Sequence, residues 1–235
     1  MSGGSGTWNE GPVSGIFANG FPMKPNKLIP AIALAAVVVA ILFWWRQFSS
    51  PTVNLRPSAA AGEVLAEEVG RLLGGRGTVV LLSRQPPEDG PNANRERIEA
   101  FASAMKRRPT LTLAPTEWLP RPPLGTMDLG VVSPEQILAA LEKNPKANAF
   151  VIFSGLPPYS QPLAEKVAAR SLILMAVCGY NVDVRRWIES KALEVAVVPR
   201  FDDPPPGTPA PKTAKEWFER EFQMVTLETI GRLPY

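Results

Sequence analysis

A few stretches of the 235-residue chain hold residue types and spacings that chemistry could use. Gly74-Gly75-Arg76-Gly77 has the glycine density of a phosphate loop. It precedes a strand pattern instead of following one, and it lacks the Lys-Ser/Thr ending, so it reads as a helix stop. Gly179-Tyr180-Asn181 lies between a strand pattern and a helix pattern, where open α/β sheets place ligands. Asp202 and Asp203 are adjacent acids in a loop, a pattern that faces water unless the acids converge on a third group. Ser103-Ala104-Met105-Lys106 has the spacing of lysine-assisted serine chemistry, but it falls in the middle of a charged helical run. Ser83 and Ser154 end strand patterns, and the chain has no histidine to serve as their base. Cys178 is the one cysteine and sits in an apolar run, where a thiol acts as a small hydrophobe. No catalytic residues, metal ligands or cofactor are expected, and the chain reads as a non-enzyme.

The charge is nearly balanced, 25 Lys and Arg against 22 Asp and Glu. These residues are scattered, and the densest group, Lys106-Arg107-Arg108, closes a helical pattern. A nucleic-acid partner is not expected, because such binding needs a basic stripe.

From Leu28 to Trp45 no residue is charged. Extended to Phe48, the segment makes a helix of roughly 30 Å, the thickness of a bilayer core. Trp44 and Trp45 lie where aromatic rings favour the interface, and Arg46 follows at headgroup level. The bulky end of the run argues against a cleavage site. Residues 28–48 are therefore expected to form a transmembrane helix, with Leu28, Trp44, Trp45 and Phe48 as anchor positions in an inner, cytoplasmic membrane. The tail 1–27 is short, polar and Gly-rich, which favours leaving it in the cytoplasm and the large domain in the periplasm.

Residues 49–58 read as a linker and 59–235 as one α/β domain. Helical spacing marks 59–73, 94–107, 133–143, 163–170, 182–191 and 212–222. Ser133-Pro134-Glu135-Gln136 is a helix start, with a cap, a first-turn proline and an acid. Short apolar runs mark strands at 78–83, 110–114, 149–153, 172–177, 193–198 and 224–228. Continuous apolar strands alternating with helices predict a doubly wound, mostly parallel sheet covered on both faces. Two Pro-rich loops, 115–123 and 202–211, are expected to be stiff contact surfaces.

Three places resemble one lobe of the type I periplasmic binding proteins, the ribose-binding and lac-repressor-like family. They are the strand 78–83 followed by Asn94-Arg95-Glu96-Arg97; the stretch Val177-Cys178-Gly179-Tyr180-Asn181 before the helix with Trp187 and Ile188; and the strand 194–198 leading into a proline loop. The resemblance implies a Rossmann-like lobe over about 77–230, with Arg95 and Asn181 at the positions that contact ligand. Asn181 stands where the family carries an acid, and Ser154-Gly155-Leu156-Pro157 stands where it carries an Asn-Asp pair. With few sugar-contacting groups kept, a small-molecule ligand is not the leading expectation. The leading expectation is an accessory subunit of a larger membrane complex (respiratory, photosynthetic or transport-related), with other membrane subunits and the bilayer as partners. The alternative is a membrane-tethered solute-binding or sensor domain.

Overall fold

The computed structural model describes residues 28–48, 53–87, 90–120, 131–170, 172–179, 183–200, 202, 204–205 and 207–233. The chain divides into two units, Met1–Thr52 and Val53–Tyr235. In the first, α1 (Leu28–Phe48) is a 21-residue helix. Side chains are described for its residues 34–44 only, and all of these are exposed. That stretch spans about 16 Å, half the thickness of a hydrocarbon core. Among the described residues no helix is long and apolar enough to cross a membrane. The expected anchor positions Leu28, Trp45 and Phe48 have no described side chain, so the span rests on the sequence.

The second unit begins with α2 (Arg56–Leu72) and β1 (Gly77–Arg84). Next come α3 (Ala93–Lys106), β2 (Leu111–Leu113), β3 (Glu117–Leu119) and α4 (Pro134–Lys143). β4 (Ala149–Ile152), α5 (Gln161–Ala168) and β5 (Ile173–Val177) continue the alternation. α6 (Val184–Glu189), β6 (Val195–Pro199), α7 (Ala214–Glu221) and β7 (Phe222–Val225) complete it. Local chemistry sets the ends. Ser133 caps α4 and Gln136 returns the bond, a reciprocal capping box. Gly74 and Gly75 close α2 at φ +60° and +80°, and Gly75 N–H donates to Gly70 O at 2.8 Å.

The sheet order is β2-β1-β4-β5-β6-β7, with β3 also pairing with β1. All the pairings are parallel except β6–β7. Side chains alternate strictly between two cores. Val79, Leu81, Val151 and Met175 meet α2, α3 and α7 on one face. Val80, Leu82, Phe150 and Leu174 meet α4, α5 and α6 on the other. Val79 to Leu82 are at most 1% exposed, and each such burial stabilises by roughly 2 kcal/mol.

The doubly wound, mostly parallel sheet expected from the sequence is present. The first Pro-rich loop differs from its expectation, since residues 117–119 form an edge strand. β1 is flanked by β2 along Gly77–Val79 and by β3 along Leu82–Arg84. Pro115 lies between the two short strands and cannot donate to the ladder, so the edge is interrupted. Lys143 and Asn144 clamp β3 through Glu117, at 2.7 and 3.1 Å. α2 also starts earlier than its apolar spacing predicts, with Pro57 in its first turn.

α2 and α3 approach closely at Gly62, where a Cβ would lie 2.1 Å from the Arg97 carbonyl oxygen. Gly62→Ala is expected to destabilise the domain by about 3 kcal/mol by forcing the helices apart. The shift of the urea midpoint at unchanged slope measures it; a shift below a third of that size would mean the helices separate freely.

Candidate functional site at the carboxyl edge of the sheet

β1 is followed by α3 on one face of the sheet, and β3 by α4 on the other. The crossover direction therefore reverses between β1 and β4, and their carboxyl ends form the crevice where this architecture binds ligands. Polar side chains gather there. Ser83 is fully buried. Its Oγ accepts from Asn94 Nδ2 at 2.7 Å and donates to Arg84 O at 3.3 Å. Arg84 N–H donates to Ser154 Oγ at 3.0 Å. Asn92 caps α3, accepting from the backbone N–H groups of Asn94 and Arg95 at 2.9 and 3.0 Å.

One segment crosses this crevice. Val131 pairs with Gly155 in a parallel bridge, and Val132 N–H donates to Gly155 O at 2.8 Å. Arg84 Nη2 donates to Val131 O at 2.7 Å, fixing the crossing segment to the end of β1. Trp187 Nε1 donates to Pro157 O at 3.3 Å and holds the chain after β4.

Arg95, expected at the ligand, lines a pocket of about 410 Å³ with Gln85, Pro86, Ile98, Glu99 and Trp118. Its Nη2 donates to Pro87 O. Trp118 is 48% exposed and gives the pocket an aromatic wall. Asn181 lies outside the described residues, so the pair expected from the sequence is half located. Gly179, just before it, is exposed.

The remaining chemical candidates do not converge. Ser103 and Lys106 are both exposed on α3. Cys178 is buried, and desolvation pushes its thiol up to about 12. Asp202 lines a separate pocket of about 580 Å³ under the second Pro-rich loop, with Arg200, Lys212 and Arg220. Among the described residues no group of three His, Cys, Asp or Glu could hold a metal ion.

The sequence reading missed Asn94 and Arg97 as site residues. Arg97 Nη1 donates to Phe153 O at 3.4 Å, and its guanidinium lies 5.8 Å from the centre of the Phe153 ring. Burial alone pulls its pKa down to about 10. The residue as a whole is half-buried, while its Nε is shut off from solvent. The signal was present in spacing: Asn94, Arg97, Phe101 and Ala104 recur on one helical face, and the last two are core residues.

Two outcomes follow. Ser154→Ala leaves the Arg84 N–H without its acceptor and should cost about 2 kcal/mol in urea unfolding; no loss would mean another group takes the bond. Cys178 should resist iodoacetamide at pH 8 in the folded protein and react in urea, read by intact mass, because the thiolate is the nucleophile. Rapid labelling of folded protein would contradict its burial.

No family model matches the chain, and no curated protein matches it in sequence. Solved structures do resemble it. The arabinose-binding protein AraP from Geobacillus stearothermophilus superposes with a TM-score of 0.52 at 12% identity, over 76% of this chain and 63% of that one. The sugar-binding protein of a sugar ABC transporter from Bacillus halodurans gives 0.49 at 12% identity, over 74% and 64%. GanP, a glucose-galactose binding protein from Geobacillus stearothermophilus, gives 0.48 at 12% identity, over 76% and 62%. The chain spans less than two thirds of the length of each. What the likeness establishes is a fold: the α/β unit is periplasmic-binding-protein-like.

Proposed function

We propose that this chain is a solute-binding or sensor domain of the periplasmic-binding-protein type, tethered to a membrane by residues 28–48. The observation that carries the reading is the pocket at the carboxyl end of β1, lined by Arg95, Gln85, Glu99 and Trp118. It offers a cation, an anion, an amide and an indole face around a space suited to a small polar solute. Arg95 orients the solute by its guanidinium, Trp118 covers an apolar face, and no bond is made or broken. The anchor draws support from the uncharged run Leu28 to Trp45 and from the helical backbone over Leu28–Phe48. The tail then lies in the cytoplasm and the domain in the periplasm.

An accessory role in a membrane complex is the second reading. Its support is the mutual bonding of Ser83, Arg84, Asn94 and Ser154 and the segment at Val131 across the crevice. Polar groups spent on each other stiffen a scaffold and leave less for a solute.

The test is thermal unfolding of the full chain in mild detergent against a panel of sugars, amino acids and organic acids. A binder should raise the melting temperature through linkage, and Arg95→Ala should abolish the rise. No response to any solute, together with a fixed set of co-migrating membrane proteins on a native gel, would replace this reading with the second.

A further inference from the structure

A second cavity lies at the far end of the sheet from Arg95. β7 closes the strand order there, and β1 stands four strand spacings away, about 19 Å. The cavity holds about 450 Å³, within the range of small-molecule sites. Its apolar wall is built from Val64 of α2, Phe218 of α7, Phe222 and Met224 of β7, and Leu233 beyond them. Phe218 is buried, and its ring centre lies 5.9 Å from that of Phe222.

Arg200, Lys215, Glu67 and Glu219 line the same cavity. Lys215 and Glu219 stand one turn apart on α7, 3.8 Å from each other, and offset one another. Arg200 is tied to the end of β7: its backbone N–H donates to Glu221 O at 2.9 Å and its Nε to Phe222 O at 3.0 Å. Among the described residues its two Nη groups have no partner, and neither has the Glu67 carboxylate. What remains is one positioned guanidinium and one carboxylate beside an apolar wall.

That combination sets the charge of an occupant. A neutral apolar molecule would displace water from both charges and leave them unpaired. A lone anion pairs with Arg200 but is repelled by Glu67, and a lone amine has the converse fault. A zwitterion with an apolar side chain matches all three features. Its carboxylate accepts from the Nη groups of Arg200, its ammonium turns to Glu67, and its side chain packs on Phe218 and Phe222.

We infer that this cavity is a second binding site, for a zwitterion with a large apolar side chain. Apolar α-amino acids and short apolar peptides share that chemistry. The site goes beyond the solute-binding reading above and does not rest on it, since no residue lines both this cavity and the pocket at Arg95.

The experiment titrates the full chain in lipid nanodiscs with L-phenylalanine and L-leucyl-L-leucine by isothermal calorimetry. The controls are hydrocinnamate and phenethylamine, which keep one charge each, and free glycine, which lacks the apolar side chain. At least one of the two zwitterions should bind about tenfold more tightly than any control; the tighter of the two reads the span between the charges. Arg200→Gln and Glu67→Gln should each weaken that binding about tenfold. Both side chains are exposed, so an unchanged melting temperature of each ligand-free variant shows that the fold is kept. Arg95→Ala should leave the binding unchanged. No binding of either zwitterion, or equal binding of a singly charged control, would overturn the inference and leave the pocket at Arg95 untouched. Binding that survives both charge variants and is lost in Arg95→Ala would overturn it as well, by placing the zwitterion in that pocket and so supporting the solute-binding reading.

Discussion

Strand β1 runs between β4 on one side and the short strands β2 and β3 on the other, with both of its faces covered by helices. A strand so enclosed has no side facing water, and every side chain between its ends must be apolar. Val79 to Leu82 obey this, and polarity returns only at Ser83 and Arg84, where the ladder ends. The same holds at β4, which is apolar through Ile152 and Phe153 and turns polar at Ser154. Enclosure of the central strands thus sends the polar side chains of both to the same edge of the sheet. The cluster of Ser83, Arg84, Asn94 and Ser154 follows from that constraint, and so does the opportunity for a site.

The constraint made much of the fold legible in the sequence. Apolar runs of strand length alternating with amphipathic helices define the layers, and Ser133-Pro134 and Gly74-Gly75 mark two helix ends by local chemistry. What was not legible depended on tertiary partners. Glu117-Trp118-Leu119 follows a proline and looks like loop; it becomes a strand because β2 leaves the edge of β1 open beyond Val79, and the end of α4 supplies Lys143 and Asn144 to hold Glu117. The start of α2 at Arg56 was obscured because Pro57 reads as a linker residue until it is seen in a first turn.

The site was less legible than the fold, for a related reason. Arg95 and Arg97 stand two residues apart in a run of alternating charge, and such a run reads as a solvated face. Residues two apart on a helix point in nearly opposite directions. Arg95 faces the pocket beside Trp118, while Arg97 shares the inward face with Phe101. The family resemblance directed attention to Arg95; only helical phase distinguishes Arg97, and phase carries weight only when the buried face has been fixed by its apolar members.

The crossing segment at Val131 decides how the edge is used. By pairing with Gly155 and accepting from Arg84 it fills the space between the ends of β1 and β4, on the face that carries Leu82 and Val132. The opposite face, with Leu81, Phe153 and α3, keeps the unpaired atoms of Asn94 and Arg97. Among the described residues Arg97 is held by a carbonyl and a ring, and a guanidinium so buried costs stability unless water or another polar group completes its bonding. The two faces of the edge therefore differ in construction: the Val131 segment ties the ends of β1 and β4 together, while the α3 face carries the buried charge of Arg97.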